Sequence, residues 1–427
     1  MRKLLLCLFL LTTVFLYSSG KQEQSAEKAG PKAITMLSIP EFTSIDGFSA
    51  VIAEWEKRTG NTIEVQILPD DQVNQALVQR LNAGEGPDLF ETSGKGAEFY
   101  LPPNSVEPLN DRPWAGEIPA ATLELMTYTD GTLPYVPIIP LNAAGVAYNK
   151  KIFTELGLSE PKNRLEFVAV MEKIKEAGMT ALLLQGAPGF SWNLRHWMDP
   201  MFAYYDKHLA APNHWEKLNS NELKFSEVDF YVQSMQNMRD YIEAGYTNDD
   251  ILSVTLNMTL DRFAHGEAVM VCFPELIVGP IRQITPDFEF GFFPLPMVDD
   301  KEGVLASFVG FGMSVWKGGK SKDTVLDFID FMCSKEMQEL FYTITPGTPI
   351  FPYADVPLTP VGEVIREHVN RNNASPRLMI NDKLFLQPVY DKLLQSLATG
   401  DKTPREILAS YDDERKRAGQ QRGVPGF

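Results

Sequence analysis

TLPYVPIIPLNAAGVAYNK, residues 132–150, consists of two stiff extended runs with a small-residue joint between them. The runs cover 135–139 and 145–149, and Pro140-Leu141-Asn142-Ala143-Ala144 joins them. The prolines at 134, 137 and 140 fix φ and bias the residue before each toward extended backbone. Gly145 has no Cβ and permits close backbone approach or a positive φ. Small residues between stiff runs suit a crossing between two bodies. An ordinary hairpin in an α/β enzyme is the alternative.

Chain length agrees with two bodies, because 427 residues exceed what one hydrophobic core organises. The composition, 44% hydrophobic and 22% charged, is that of a globular protein. Net charge is −17, and residues 1–20 carry only Arg2 and Lys3, so the remainder is more negative still. That argues against nucleic acid or anionic lipid as a partner, since both require a basic face.

Residues 1–20, MRKLLLCLFLLTTVFLYSSG, have the basic start, short apolar run and small-residue end of a secretory signal peptide. Cleavage after Gly20 fits this layout and leaves a polar leader, 21–31. Lipoprotein processing needs a cysteine at the end of the apolar run, whereas Cys7 lies near its start. The expectation is a free periplasmic protein without a lipid anchor. Cys272 and Cys333 remain, in the apolar runs VMVCFP and FIDFMCS, and read as buried thiols, with one bridge as the other possibility.

Outward from the central stretch, periodicity alternates between strand and helix. Residues 32–39 form an apolar run that ends at Pro40. Phe48, Val51, Ile52 and Trp55 fall on one face of a helix over 47–59, stopped by Gly60. Ile63, Val65 and Ile67 alternate as a strand over 62–68. A helix over 71–83 turns Val73, Leu77 and Leu81 inward, and a short strand, 88–90, leads to Glu91-Thr92-Ser93-Gly94. In open α/β sheets ligands sit beyond the carboxyl ends of strands. That rule makes Thr92 and Ser93, and likewise Glu41 and Phe42 after the first strand, candidate ligand contacts; helix capping is the plain alternative for the two hydroxyls.

After an extended run at 180–184 comes QGAPGFSWNLRHWMD, 185–199. A sugar ring has apolar faces and polar edges. Aromatic plates cover the faces, and amide, guanidinium and carboxylate groups satisfy the edges. Trp192 and Trp197 are the candidate plates and Asn193 and Arg195 the candidate edge contacts. Alternatively, the tryptophans anchor a helix beginning near 192 in the core. His196, His208 and His214 lack metal-ligand spacing.

Further helices are expected over 228–244, 255–264, 323–333, 335–343 and 384–398. Strands are expected at AVMVCFPE, 268–275, within FEFGFFPLP, and in ASFVGFGMSVW, 306–316, where glycines at 310 and 312 allow close approach of a ligand or strand. A final helix starts at Thr403-Pro404, a cap followed by proline at its first position.

In order and spacing, the 32–68 unit with its EWEKRTGNTIEVQI run, the stretches around 88–93, 132–150 and 266–276, and the 306–333 block resemble the extracytoplasmic solute-binding proteins of ABC importers, sugar-binding type. The resemblance covers about residues 32–420. It implies an α/β, two-lobe periplasmic-binding-protein fold of type II with hinge strands between the lobes. It also implies a monomer that traps a small solute, here a carbohydrate, and docks on transmembrane permease subunits. It assigns 32–141 plus 275–330 to one lobe and 142–274 plus 331–427 to the other. It brings Phe273, Pro274 and Glu275 to the cleft, Glu275 as a hydroxyl or cation ligand. Phe308 and Phe311 become possible cleft plates, and Gly310 lies beside them. The chain departs from the family's aromatic-rich segment at Leu141-Asn142-Ala143-Ala144, which leaves Asn142 as the candidate contact there. No catalytic residue, cofactor or metal ligand is expected, since the sequence lacks GxSxG, HExxH, GxxxxGK and CxxC. The other readings are a binding protein for a polyamine or peptide, and a secreted glycoside-acting enzyme with paired carboxylates.

Overall fold

The computed structural model describes residues 32–43, 45–92, 94–138 and 140–427, and for Glu41, Asp70, Asp71, Phe99, Ala121, Trp192, Met379 and Pro388 the backbone alone. The expected signal peptide and leader, Ser93, and the side chains of Glu41 and Trp192 therefore lie outside the described residues.

Twelve strands occur among the described residues: β1 (Ala33–Ser38), β2 (Thr62–Ile67), β3 (Leu89–Thr92), β4 (Val136–Pro137), β5 (Leu141–Ala144), β6 (Val146–Asn149), β7 (Thr180–Leu183), β8 (Ala268–Cys272), β9 (Phe290–Phe293), β10 (Leu305–Val309), β11 (Gly312–Val315) and β12 (Ala374–Pro376). They form three sheets, ordered β2-β1-β3-β11-β4, β12-β10-β5 and β7-β8-β6-β9. In the first, β1 runs parallel to β2 and β3, and β11 returns antiparallel to β3 and β4. Two hydrophobic cores go with the outer sheets. One gathers around Met36, Trp55, Phe90 and Phe328, the other around Tyr148, Phe167, Trp197 and Met270.

The small sheet lies between them and is built by the crossings. The joint 141–144 is itself a strand, β5, paired antiparallel with β10 from Ala144↔Ala306 to Leu141↔Val309. One residue later the chain enters the second large sheet as β6. Gly145 makes that step possible, because a Cβ there would lie 2.5 Å from the Phe292 ring and 3.0 Å from the Phe293 carbonyl. The run 306–316 is likewise not one strand. It breaks at Gly310 and Phe311, so that β10 serves the small sheet and β11 the first large sheet. Gly312 lets β11 close on β4, since a Cβ would meet the Val136 carbonyl at 2.3 Å.

Most helices follow the expected periodicity. Helix Asp46–Thr59 buries Phe48, Val51 and Trp55 and ends at Gly60 in the left-handed conformation. Thr403 and Glu406 form a reciprocal capping box at the start of Pro404–Arg422.

The alternating run 62–68 is strand β2, at the edge of its sheet beside β1, with Val65 and Ile67 39% and 51% exposed. One expectation changes. Helix Lys335–Ile344, expected in the second lobe, packs on Asp46–Thr59 instead. Its buried face, Met337, Phe341 and Tyr342, joins the first core. Arg58 also reaches across to both carboxylate oxygens of Glu336, at 3.0 and 2.6 Å. Val361 and Ile365 belong to the same core.

Candidate ligand-binding site

The crossings are fastened by a buried carboxylate. Glu275, just after β8, is 1% exposed. It accepts hydrogen bonds from the Thr348 amide (2.9 Å), the Thr348 hydroxyl (2.8 Å) and the Thr359 hydroxyl. Its own amide donates to Oδ1 of Asn142 on β5 at 2.8 Å. Burial pushes the Glu275 carboxyl up, and the hydroxyl and amide donors pull the other way. One side chain thus ties β5, the end of β8 and the 348–359 segment together.

Helix Trp192–His208 packs over the small sheet. Pro200 lies within it and has no N–H to offer the His196 carbonyl four residues back. The Cys272 thiol takes that acceptor, Sγ to O at 2.9 Å, while Asn193 Nδ2 donates to the Cys272 carbonyl at 3.1 Å. These two bonds dock the first turns of the helix on the end of β8. Cys272 and Cys333 are both buried free thiols.

One face of this helix carries Arg195, His196 and Asp199, all buried. Arg195 Nε lies 3.2 Å from Asp391 Oδ1, and its guanidinium sits over the Phe385 ring at 5.7 Å. His196 stacks on Phe308 with centroids 6.3 Å apart. Arg377 covers the Phe308 ring at 3.8 Å, and Tyr135 of the first core and Asp199 of the helix both act on its charge. Burial lowers Arg377 to about 10 and raises Asp199 to about 6, although Arg377 and Arg195 draw the latter down. Burial likewise keeps His196 neutral and pushes the Tyr390 hydroxyl well up.

Native interiors rarely leave polar atoms unbonded. Here several buried ones lack a hydrogen bond among the described residues: Asn142 Nδ2, Asn193 Oδ1, Arg377 Nε and the Tyr390 hydroxyl. They supply donors and acceptors within a cluster backed by the Phe308 ring, the mixture a polyhydroxylated solute can satisfy.

Of the sequence candidates, Asn142, Asn193, Arg195 and Phe308 come together here. Phe42 is 3% exposed in the first core against Phe311, with centroids 5.0 Å apart. Thr92 is buried at the end of β3, its hydroxyl 3.2 Å from that of Ser314. Gly310 is buried, its carbonyl facing Gly94. Trp197 is 1% exposed in the second core, with Met198, Met238, Tyr241, Leu295 and Met297. Glu275 is buried, its oxygens engaged by Thr348 and Thr359. Trp192 and Glu41 occupy helical backbone positions.

Arg377, Tyr390 and Asp391 escaped the sequence reading. They lie almost two hundred residues from Asp199, and only tertiary packing joins them. A signal was present for Arg377, an arginine within the apolar context SPRLMI.

The fold and this cluster can be set beside known proteins. The sequence profile of the bacterial extracellular solute-binding protein family matches residues 40–339. The melibiose/raffinose/stachyose-binding protein MelE of Bacillus subtilis is 22% identical over 349 residues, covering 78% of each chain. The multiple sugar-binding protein of Streptococcus mutans is 23% identical over 351 residues, covering 80% of each. The sn-glycerol-3-phosphate-binding periplasmic protein UgpB of Pectobacterium atrosepticum is 23% identical over 306 residues, 66% of each. Among solved structures, RafE in complex with raffinose superposes with a TM-score of 0.76 at 18% identity, covering 90% of this chain and 99% of that one. A chitin oligosaccharide binding protein gives 0.77 at 19% identity, covering 92% and 100%. With the profile spanning most of its length, the chain belongs to the bacterial extracellular solute-binding proteins.

Proposed function

We propose that this protein is the solute-capturing subunit of an ABC importer and that its solute is a carbohydrate, held between two lobes that close by bending at the β5/β10 crossings. The observation that carries the reading is the buried polar cluster over the small sheet, whose unmade hydrogen bonds match the hydroxyls of a sugar. Two relatives named for sugars, and a neighbour structure that holds raffinose, support it. Charge in the cluster favours a neutral solute over the phosphate ester named for the third relative. Arg195 is opposed by Asp391 at 3.2 Å, and Arg377 by the field of Asp199. Binding requires no bond chemistry, so the protein acts without catalysis. Residues 1–20 direct it across the inner membrane, it works as a free periplasmic monomer, and its closed form docks on a permease.

The test is thermal unfolding with raffinose, stachyose and maltose, and with polyamines and amino acids as controls. Ligand at about 100 times its Kd adds about 2.7 kcal/mol to native stability. For a chain of about 400 residues that is a rise of about 3 °C. A rise with a sugar is the expected result. A rise confined to the controls overturns the carbohydrate reading.

A further inference from the structure

We propose that Arg377 is a displaceable plug of this site: its guanidinium covers the Phe308 ring, and a sugar enters only after that side chain has swung off the ring. The proposal rests on the carbohydrate reading and adds to it the step that gates entry.

The Arg377 guanidinium stands 3.8 Å from the centroid of the Phe308 ring, well inside the about 6 Å over which a cation is drawn to an aromatic face. His196 lies nearly parallel to the same ring, but with centroids 6.3 Å apart, and it is a short side chain on the helix Trp192–His208. Arg377 carries its head on a long stem with many rotamers. Its backbone is anchored beside the ring. The Arg377 amide donates to the Ser307 carbonyl at 3.3 Å, one residue before Phe308, and β12 pairs with β10 just ahead of it. Rotation about side-chain bonds alone therefore lifts the guanidinium, with the strands left in place.

The guanidinium is costly where it stands. Arg377 is 6% exposed and its Nε makes no hydrogen bond among the described residues. The buried Arg195 and Arg415 pair with Asp391 and Asp382 at 3.2 and 2.8 Å, whereas Arg377 has no such ion pair among the described residues. Buried charges are ordinarily paired. Asp199 and Asp391 attract Arg377 from a distance, so a turn toward Asp199 gives the cation the partner that the ring cannot, and uncovers Phe308. A desolvated cation–π contact favours the plugged position by about tenfold or more. A site open in one molecule of about ten binds about tenfold more weakly than an unobstructed one.

The experiment follows binding of raffinose, stachyose and maltose by stopped-flow tryptophan fluorescence, in the wild type, Arg377→Ala and Arg377→Gln. Both variants are expected to associate with the wild type's sugar about tenfold faster, while dissociation changes less, because the plug acts before the sugar arrives. Both are also expected to melt no lower than the wild type without sugar, since they remove an unpaired buried cation. Association no faster than wild type overturns the plug. If dissociation is then faster, Arg377 is a direct sugar contact instead. Should the alanine variant not fold, the glutamine variant, which keeps much of the volume without the charge, carries the same test. Two variants that both fail to fold mark Arg377 as a structural cation and overturn the proposal. A wild type that binds none of the three sugars overturns the carbohydrate reading, and this proposal with it.

Discussion

Glu275→Ala tests whether the crossings are held by the buried carboxylate. The substitution removes an acceptor used by the Thr348 amide, the Thr348 hydroxyl and the Thr359 hydroxyl, and leaves these donors unpaired. Hydrogen bonds to a charged group are worth about 1.5–3 kcal/mol each. Against that loss stands relief from burying a carboxylate whose pKa burial has already raised. The net cost is about 4 kcal/mol, taking the lower end of each bond. With an unfolding entropy of about 2.1 cal/mol/K per residue over about 400 residues, the melting temperature falls by about 5 °C. Glu275→Gln keeps the volume and one acceptor and falls by about 1–2 °C on the same scale. The sign with pH follows from linkage. A carboxyl raised in the folded state takes up a proton there before it does in the unfolded chain. Its contribution therefore rises as pH falls from the raised value toward the ordinary one. Wild type should gain stability relative to Glu275→Gln over that window. Scanning calorimetry at neutral pH and near pH 5 measures both effects. An alanine variant that melts within about 1 °C of wild type, against the roughly 5 °C expected, refutes the fastening role.

Arg415, 1% exposed, donates to Asp382 at 2.8 and 3.1 Å, so Arg415→Met leaves a buried carboxylate and costs about 3–5 kcal/mol in chemical denaturation. Gly145→Ala drives a Cβ against the Phe292 ring and destabilises by about 1–3 kcal/mol, readable as a lower urea midpoint. Trp197→Ala opens a cavity in the second core and costs about 3–5 kcal/mol. Its effect should appear in the melting temperature while sugar affinity stays within about twofold; a large affinity loss at unchanged stability would return Trp197 to the site.

Local chemistry in the sequence settles much of the fold. The Phe48, Val51 and Trp55 stripe, the glycine stop at 60 and the Thr403-Pro404 cap each act within a few residues, and each stands in the structure as read. Gly145 marked the crossing for the right reason, a close approach. What stayed hidden depends on distant partners. Leu141-Asn142-Ala143-Ala144 looks like a joint until β10 pairs with it. Helix Lys335–Ile344 has an apolar face that any lobe can bury, and its match to Asp46–Thr59 is a matter of tertiary shape. Around the buried polar cluster, composition drew attention to 185–199 but could not separate its members. Helical geometry turns Trp197 into the core and Arg195, His196 and Asp199 toward the cluster, and it leaves their partners near 377 and 390 to packing.

The central claim is that this chain captures a sugar without altering it. Equilibrium dialysis of the mature protein against raffinose, stachyose and maltose, with the bound fraction released and identified, tests it most directly. The account predicts one sugar per chain, recovered intact. Sugar recovered cleaved, or no sugar retained while a polyamine or amino acid is, would contradict it.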